Sequence, residues 1–364
     1  MKKKLKILIS GGGTGGHIFP AISIADEIKR QQPDADILFV GAEGRMEMER
    51  VPAAGYQIIG LPVIGLKRKI SFQLIAFFIK LRKSIRKARQ VISSFKPDVA
   101  VGVGGYASGP VLRTAGKQGI PYIIQEQNSY AGITNRLLAK KAKAICVAYK
   151  KMENYFPAEK IVITGNPTRK DIKNIEGKKE EAFRYFDIHP GKKVVLVLGG
   201  SLGAGTINNT LEHEIERLKK TDVHFIWQTG KHYFENLQSL KDKNITITAF
   251  IDRMDLAFAA ATIIISRAGA GTISELCIAG KPCILVPSPN VAEDHQTKNA
   301  ISLVEENAAI MVKDNEAGEK LVPALLQLLE DENKRNDLST RIKKMAIPDS
   351  SERIVNVLLE IASE

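Results

Sequence analysis

Short apolar runs rich in β-branched residues alternate with longer stretches of helical periodicity along all 364 residues. That is the pattern of doubly wound α/β domains built on parallel sheets. Runs at 6–10, 36–41, 98–103, 122–125, 144–148 and 161–164 predict six strands in the first half. After a charged, weakly apolar stretch at 169–193 the pattern restarts at 194–198, 224–228, 245–250, 262–266, 283–287 and 309–312. Two successive sets predict two Rossmann-like domains, 1–165 and 166–347, with the boundary near Gly165-Asn166-Pro167. Ligands of such folds lie off the carboxyl ends of the strands, where the glycine-rich turns of this chain also fall. Two such domains facing each other would put both sets of turns on one cleft.

The stretch 51–97 holds no Asp or Glu, while carrying Lys67, Arg68, Lys69, Lys80, Arg82, Lys83, Arg86, Lys87, Arg89 and Lys96. Within it Leu74, Phe78, Leu81, Ile85, Ala88 and Ile92 recur at steps of four and three, predicting a helix whose stripe faces the core. At about 100° per residue, Phe72, Ile75 and Ile79 fall on a different face, continued by Arg82, Lys83 and Arg86. An apolar patch beside a basic one suits an anionic bilayer, at roughly 1 kcal/mol per basic residue near the surface. The competing reading is a solvated basic helix whose extra apolar residues meet a neighbouring loop. A span is excluded, because the uncharged run 70–79 is about half the ~20 residues needed.

The first strand runs into SGGGTGGH at 10–17. A glycine-rich turn between strand and helix lets backbone N–H groups converge on an anion, aided by the helix dipole. His17 adds a side chain able to take a proton near neutral pH. Gly11-x-Gly13-x-x-Gly16 also fits the dinucleotide fingerprint, in which case His17 is incidental. A second glycine turn, VGVGGYASGP at 101–110, leaves another strand, and QEQN at 125–128 ends a third. There Glu126 and Asn128 read as ligands of sugar hydroxyls and Glu126 as a proton acceptor, or both as loop caps.

In the second half GGSLGA at 199–204 offers amides and the Ser201 hydroxyl to a phosphate. RAGAGTISE at 267–275 closes a strand and opens a helix. Thr272 to Glu275 has capping-box spacing; alternatively a diphosphate lies over the helix start from Gly271 to Ser274, with the Glu275 carboxylate on a ribose diol. Glu293, His295, Gln296 and Asn299 read as sugar ligands, or as a surface turn and helix cap.

Charge narrows the partners. Residues 1–166 carry 27 Lys and Arg against 11 Asp and Glu, and the remainder 26 against 29, so the first part is +16 and the rest −3 within the net +13. No arginine-rich tail, zinc pattern or aromatic-basic signature points to nucleic acid, leaving a membrane surface or a phosphate-bearing substrate. Cys146, Cys277 and Cys283 show no metal-ligand spacing and predict a reduced compartment. The basic start is followed by an apolar run of only 5–9, too short for a signal peptide or span, which predicts a cytoplasmic chain or one docked from the cytoplasm.

In order, GGGTGGH, GVGGY, the strand-end EQN, GNPTR at 165–169, GGSLGA, RAGAGTISE and DHQTKNA at 294–300 resemble the MurG family of bacterial peripheral-membrane glycosyltransferases over essentially the whole chain. The resemblance implies an α/β GT-B fold, with a final helix at 348–364 packing back on the first domain. It implies inverting transfer of N-acetylglucosamine from UDP-N-acetylglucosamine (UDP-GlcNAc) to the 4-hydroxyl of lipid I, the undecaprenyl-diphosphate-linked MurNAc-pentapeptide. Lipid II for peptidoglycan would form at the cytoplasmic face of the cell membrane, alongside other cell-wall synthesis proteins. Carried over by motif, the donor would be held by Thr14, Gly15, Gly16 and Asn128, and by Arg169, Ser201, Ile251 through its backbone to uracil, Thr272, Ser274, Glu275 on ribose and Gln296 on the sugar. The acceptor would meet Gly13, Gly104, Gly105 and Tyr106, and the basic region at 67–89 would meet the bilayer. His17 is the first candidate for the base and Glu126 the second, since Gln125 stands where the family often has histidine. Asp34-Ala-Asp36 matches a metal-binding DxD superficially but begins a strand, so no obligatory metal is expected, Mg2+ being at most a stimulant.

Three other readings stay open on sequence. A dinucleotide-dependent oxidoreductase lacks the acidic residue at the end of its second strand, where Val40-Gly41 stands. A non-catalytic nucleotide-sugar binder would leave His17 and Glu126 without a task. A glycolipid synthase of the same fold would glycosylate diacylglycerol instead.

Overall fold

Runs such as KILIS and KVVLVL carry no polar alternation, so strands made from them need cover on both faces, which helices flanking a parallel sheet supply. The computed structural model describes residues 4–63, 73–169, 171–200 and 202–364. The chain divides into two compact units, Met1–Thr168 with Asp349–Glu364, and Arg169–Pro348. GNPTR therefore straddles the change of unit, with Arg169 in the second.

The first unit is a seven-stranded sheet of β1 (Lys6–Ser10), β2 (Asp36–Ala42), β3 (Gln57–Leu61), β4 (Val99–Gly102), β5 (Tyr122–Glu126), β6 (Ala144–Val147) and β7 (Ile161–Ile163), in the order β3-β2-β1-β4-β5-β6-β7. β1 pairs in parallel with β2, Ile7 opposite Ile37, and with β4, Ser10 opposite Gly102. The strand order reverses beside β1, the switch point at which open α/β sheets bind ligands. Its helices include α1 (Gly15–Gln31), α2 (Glu47–Ala53), α3 (Gln73–Phe95), α4 (Ser108–Lys117) and α5 (Ile133–Leu138). Ile18, Ile24 and Ile28 of α1 share one buried cluster with Ile354, Val355, Leu358 and Ile361 of the C-terminal helix Ser350–Ser363. At about 1.5–3 kcal/mol for each large aliphatic side chain buried, those four residues hold the chain end on this unit.

β3 departs from expectation, which placed no strand between 41 and 98. It is an edge strand whose first three residues are exposed or half-buried and whose fourth is glycine, so its apolar run is short. Pairing with β2, from Leu38 opposite Gln57 to Ala42 opposite Leu61, makes it a strand.

The second unit repeats the architecture with β8 (Lys193–Leu198), β9 (Val223–Gln228), β10 (Ile245–Thr248), β11 (Ile263–Ser266), β12 (Cys283–Leu285) and β13 (Ile310–Met311), in the order β10-β9-β8-β11-β12-β13. Its switch point lies between β8 and β11, which pair in parallel with Ser266 opposite Leu198. Trp227, Phe225, Leu211, Leu321 and Leu325 fill its core. Among the described residues no helix is long and apolar enough to cross a membrane.

Candidate active site

In the first unit the two glycine turns leave β1 and β4, the strands flanking the switch point, and press on each other. A Cβ at Gly105 would overlap the carbonyl of Gly12, and one at Gly104 would lie 2.8 Å from Cδ2 and Nε2 of His17. Gly104 also sits at φ +91°, a left-handed conformation glycine adopts without steric cost. The imidazole of His17, in the first turn of α1, therefore lies across bare backbone. Ser108 Oγ is 2.8 Å from both Ser10 O and Gly104 O and ties the turns together. Thr14 Oγ1 is 3.0 Å from His17 Nδ1. With Nδ1–H donating to Thr14, Nε2 is the ring nitrogen able to accept a proton. Tyr106 stands 57% exposed beside these turns.

One amide of the turn after β1 is already engaged. The Gly13 N–H donates to the Glu47 carboxylate, 3.1 Å from Oε1 and 3.0 Å from Oε2. Gly13, expected to meet the acceptor, thus has its N–H taken by the buried Glu47 carboxyl group. It also counts against the oxidoreductase reading, because dinucleotide-binding turns present their amides to a pyrophosphate.

Glu126 is 2% exposed and fully engaged. Oε1 accepts from Asn128 N at 3.1 Å, and Oε2 from Gly132 N at 3.0 Å and Asn135 Nδ2 at 2.8 Å. Burial pushes its carboxyl above the ordinary range, while these N–H donors pull it back. A carboxylate whose two oxygens are spent on its own loop is a clamp for residues 126–135, and this corrects its expected part as proton acceptor. Gln125 is buried too, donating from Nε2 to Asn166 Oδ1 at 2.9 Å and accepting from Gln127 Nε2, which itself donates to Val103 O at 2.7 Å. An amide locked in that network does no acid–base work. Asn128 sits at the rim of the clamp, half-buried.

In the second unit the helix Ala270–Ala279 begins just past β11 at the switch point, with Gly269 as its N-cap. Thr272 is thus already inside the helix, and the capping-box reading of Thr272 with Glu275 does not hold. The first N–H groups of a helix lack partners within it, and a Cβ on Gly271 would meet nothing within 4 Å, so room for an anion exists there. Ser274 Oγ donates back to Ala270 O at 3.0 Å. Glu275 lies one turn in, its side chain 19% exposed and 3.7 Å from Arg169 Nε. Burial raises its carboxyl to about 7, against the pull of Arg169 and with the push of Asp171.

Gln296, near the start of the helix His295–Glu305, accepts from Ser288 N through Oε1 at 2.9 Å, which aims its remaining amide donor elsewhere. Asn299 Nδ2 reaches Ala268 O at 3.3 Å and ties this helix to the turn after β11. Ile251 is buried after β10. Arg267 opens the RAGAGTISE motif, whose pattern gives it no role of its own. It donates to Val286 O at 3.0 Å and pairs with Asp314, which accepts from Thr206 Oγ1 at 2.9 Å. Ser201 lies outside the described residues.

Of the expected docking surface, Lys67, Arg68, Lys69 and Phe72 lie outside the described residues, and Ile75 falls in the first turns of α3. Ser84, Ala88, Val91 and Ile92 turn one face of α3 inward, while Ile79 is 50% exposed. Lys80, Arg82, Lys83 and Arg86 are exposed. Asp34 and Asp36 lie at the amino end of β2, opposite the glycine turns.

Two parallel-sheet units, each with a glycine turn and helix start at its switch point, are the architecture of GT-B glycosyltransferases. Residues 7–147 match the glycosyltransferase family 28 N-terminal domain and residues 194–354 the family 28 C-terminal domain. The chain is 55% identical over 363 residues to the UDP-N-acetylglucosamine--N-acetylmuramyl-(pentapeptide) pyrophosphoryl-undecaprenol N-acetylglucosamine transferase of Parabacteroides distasonis, covering 99% of each chain. It is 56% identical to the enzyme of the same name from Bacteroides thetaiotaomicron, covering 100% of this chain and 99% of that one. The crystal structure of MurG from Acinetobacter baumannii is similar at a TM-score of 0.80 and 28% identity, over 98% of this chain and 100% of that one. The chain belongs to the MurG family.

Proposed function

We propose that this chain transfers N-acetylglucosamine from UDP-GlcNAc to the 4-hydroxyl of the MurNAc-pentapeptide of undecaprenyl-diphosphate lipid I, forming lipid II. Near full-length identity of 55–56% to transferases whose names state this reaction carries the reading. The second unit is the donor side: uracil on the backbone at Ile251, ribose on Glu275, diphosphate over the start of the helix Ala270–Ala279, and the sugar hydroxyls on the free donor of Gln296. Two hydroxyls donating to one buried carboxylate account for an acid at position 275 where a capping role fails.

On the acceptor side His17 Nε2 takes the proton of the 4-hydroxyl as its oxygen bonds to the anomeric carbon. The bond from that carbon to the diphosphate breaks in the same step, which inverts the configuration. A positioned base contributes roughly 100- to 10,000-fold. The charge growing on UDP falls at a helix start and near Arg169 and Arg267, so preorganised N–H groups and cations stabilise it and no metal is obligatory.

The exposed Ile79, Lys80, Arg82, Lys83 and Arg86 form the face that meets anionic lipid at the cytoplasmic side of the membrane, where the acceptor resides. The test is transfer of labelled N-acetylglucosamine from UDP-GlcNAc with a lipid I analogue and diacylglycerol offered separately. Product on the MurNAc acceptor supports the reading; product on diacylglycerol alone, or on neither, overturns it.

A further inference from the structure

Glu47, the first residue of α2, is a buried carboxylate with no part in the proposed chemistry, 1% exposed. Its oxygens receive two backbone N–H groups from separate segments, Gly13 at 3.1 and 3.0 Å, and Ala42 at the end of β2 at 2.9 Å. The turn is wrapped around it. A Cβ on Gly12 would overlap Oε1, and one on Gly41 would lie 2.6 Å from Cγ. Gly12 and Gly13 stand at φ +147° and +91°, conformations that only glycine holds cheaply and that glycine leaves equally cheaply. Such a turn needs something to select one arrangement. The long bond from Gly11 N to Val40 O, 3.4 Å, does little of it. A charge-assisted bond from a carboxylate is about twice as strong as a neutral one, and Glu47 is itself seated by α2 against β2 and β3.

We propose that Glu47 is a positioning residue for glycosyl transfer. By holding Gly13 it fixes the turn that delivers Thr14 and His17, and so keeps the imidazole over Gly104. This rests on the reading of His17 as the base. Glu47 touches no substrate; it acts through the turn. The donor groups Glu275, Arg169 and Gln296 belong to the other unit, so the larger effect falls on turnover and a smaller one on donor affinity, through the expected donor contacts of Thr14, Gly15 and Gly16 in the same turn. In Glu47→Gln the amide NH2 faces a backbone N–H, and the turn loses its preferred arrangement.

The experiment is a double-mutant cycle on the full chain, with Glu47→Gln and His17→Ala singly and together, reading kcat, KM for UDP-GlcNAc and melting temperature. Misplacing a catalytic group by about 1 Å costs on the order of 100-fold. Glu47→Gln is therefore expected to lower kcat by about 10- to 100-fold with donor KM changed by a smaller factor, and to cost less than about threefold in kcat once His17 is already alanine, since coupled residues are non-additive. Glu47→Gln with normal kcat, or with an equal loss in both backgrounds, overturns the proposal and leaves His17 as base untouched. Normal turnover in His17→Ala alone overturns the base assignment, and the positioning role with it. Should Glu47→Gln fail to fold, Gly12→Ala drives a methyl into the same carboxylate from the turn: the same kcat loss with a smaller change in donor KM supports the proposal, and normal kcat refutes it.

Discussion

Replacing Glu126 by glutamine separates a clamp from a catalyst. The wild-type carboxylate accepts two N–H groups at Oε1, from the backbone and the side-chain amide of Asn128, and two at Oε2, from Gly132 and Asn135. An amide supplies one oxygen, so its NH2 must confront at least one of these donors. The better orientation keeps the oxygen on Gly132 and Asn135 and takes it from the Asn128 backbone N–H, at about 1–3 kcal/mol, while the half-buried Asn128 side chain can turn to water; the other orientation takes it from Gly132 and Asn135 and costs about twice that. Charge-assisted bonds at the surviving positions also weaken. The sum for Glu126→Gln is about 2–4 kcal/mol, and Glu126→Ala, which removes the acceptor from all four donors, costs more. For a unit of this size about 1 kcal/mol moves the melting temperature by about 2–4 °C, so the first unit should melt about 5–15 °C lower in Glu126→Gln. Differential scanning calorimetry reads this directly, and turnover measured well below the lowered transition should survive in part. Wild-type stability with turnover abolished would refute the clamp and restore Glu126 as the proton acceptor.

Other outcomes follow from the same geometry. Glu275 has its carboxyl raised to about 7 in the free protein, and the ribose diol needs it ionised to accept from both hydroxyls. UDP affinity should therefore rise about tenfold from pH 6 to pH 8 and level off above, and titration calorimetry of Glu275→Gln should show weak, nearly flat binding; a fall toward alkaline pH would contradict this. The sign for stability is opposite: the unliganded fold holds this proton more tightly than the unfolded chain, so this group's contribution is lost as pH climbs from about 4.5 to about 7. Reversing Lys80, Arg82 and Lys83 to glutamate together should release the protein from anionic vesicles in a sedimentation assay, at roughly 1 kcal/mol per charge removed; undiminished binding would retire that face. Turnover should persist in excess chelator, and its loss would show that the helix start and arginines do not suffice for the leaving diphosphate.

The sheet architecture was legible because buried parallel strands write themselves as short apolar runs, as β1, β2, β8, β11 and β12 do, while β10 (ITIT) alternates and β13 is a half-buried pair. β3 was hidden because an edge strand needs little apolar sequence when its partner supplies the pairing. The glycine turns announced both switch points. Their content was less legible. Glu47 lies 34 positions from the amide it holds, a contact that exists only after β1 and β2 are side by side, and no local pattern marks it. Glu126 read as a proton acceptor since a carboxylate at a strand end is ambiguous until its neighbours are known; Asn135, nine positions on, decides it. Thr272 and Glu275 had the spacing of a cap, yet Gly269 starts the helix three residues earlier, freeing Glu275 for a ligand.

The central claim is that the second unit holds UDP-GlcNAc through a ribose on Glu275. A crystal structure of the full chain grown with UDP-GlcNAc tests it most directly. The account predicts both ribose hydroxyls within hydrogen-bond distance of the Glu275 carboxylate, the diphosphate over the start of the helix Ala270–Ala279 and a sugar hydroxyl on Gln296. A donor ordered elsewhere, with Glu275 still paired only to Arg169, would contradict it.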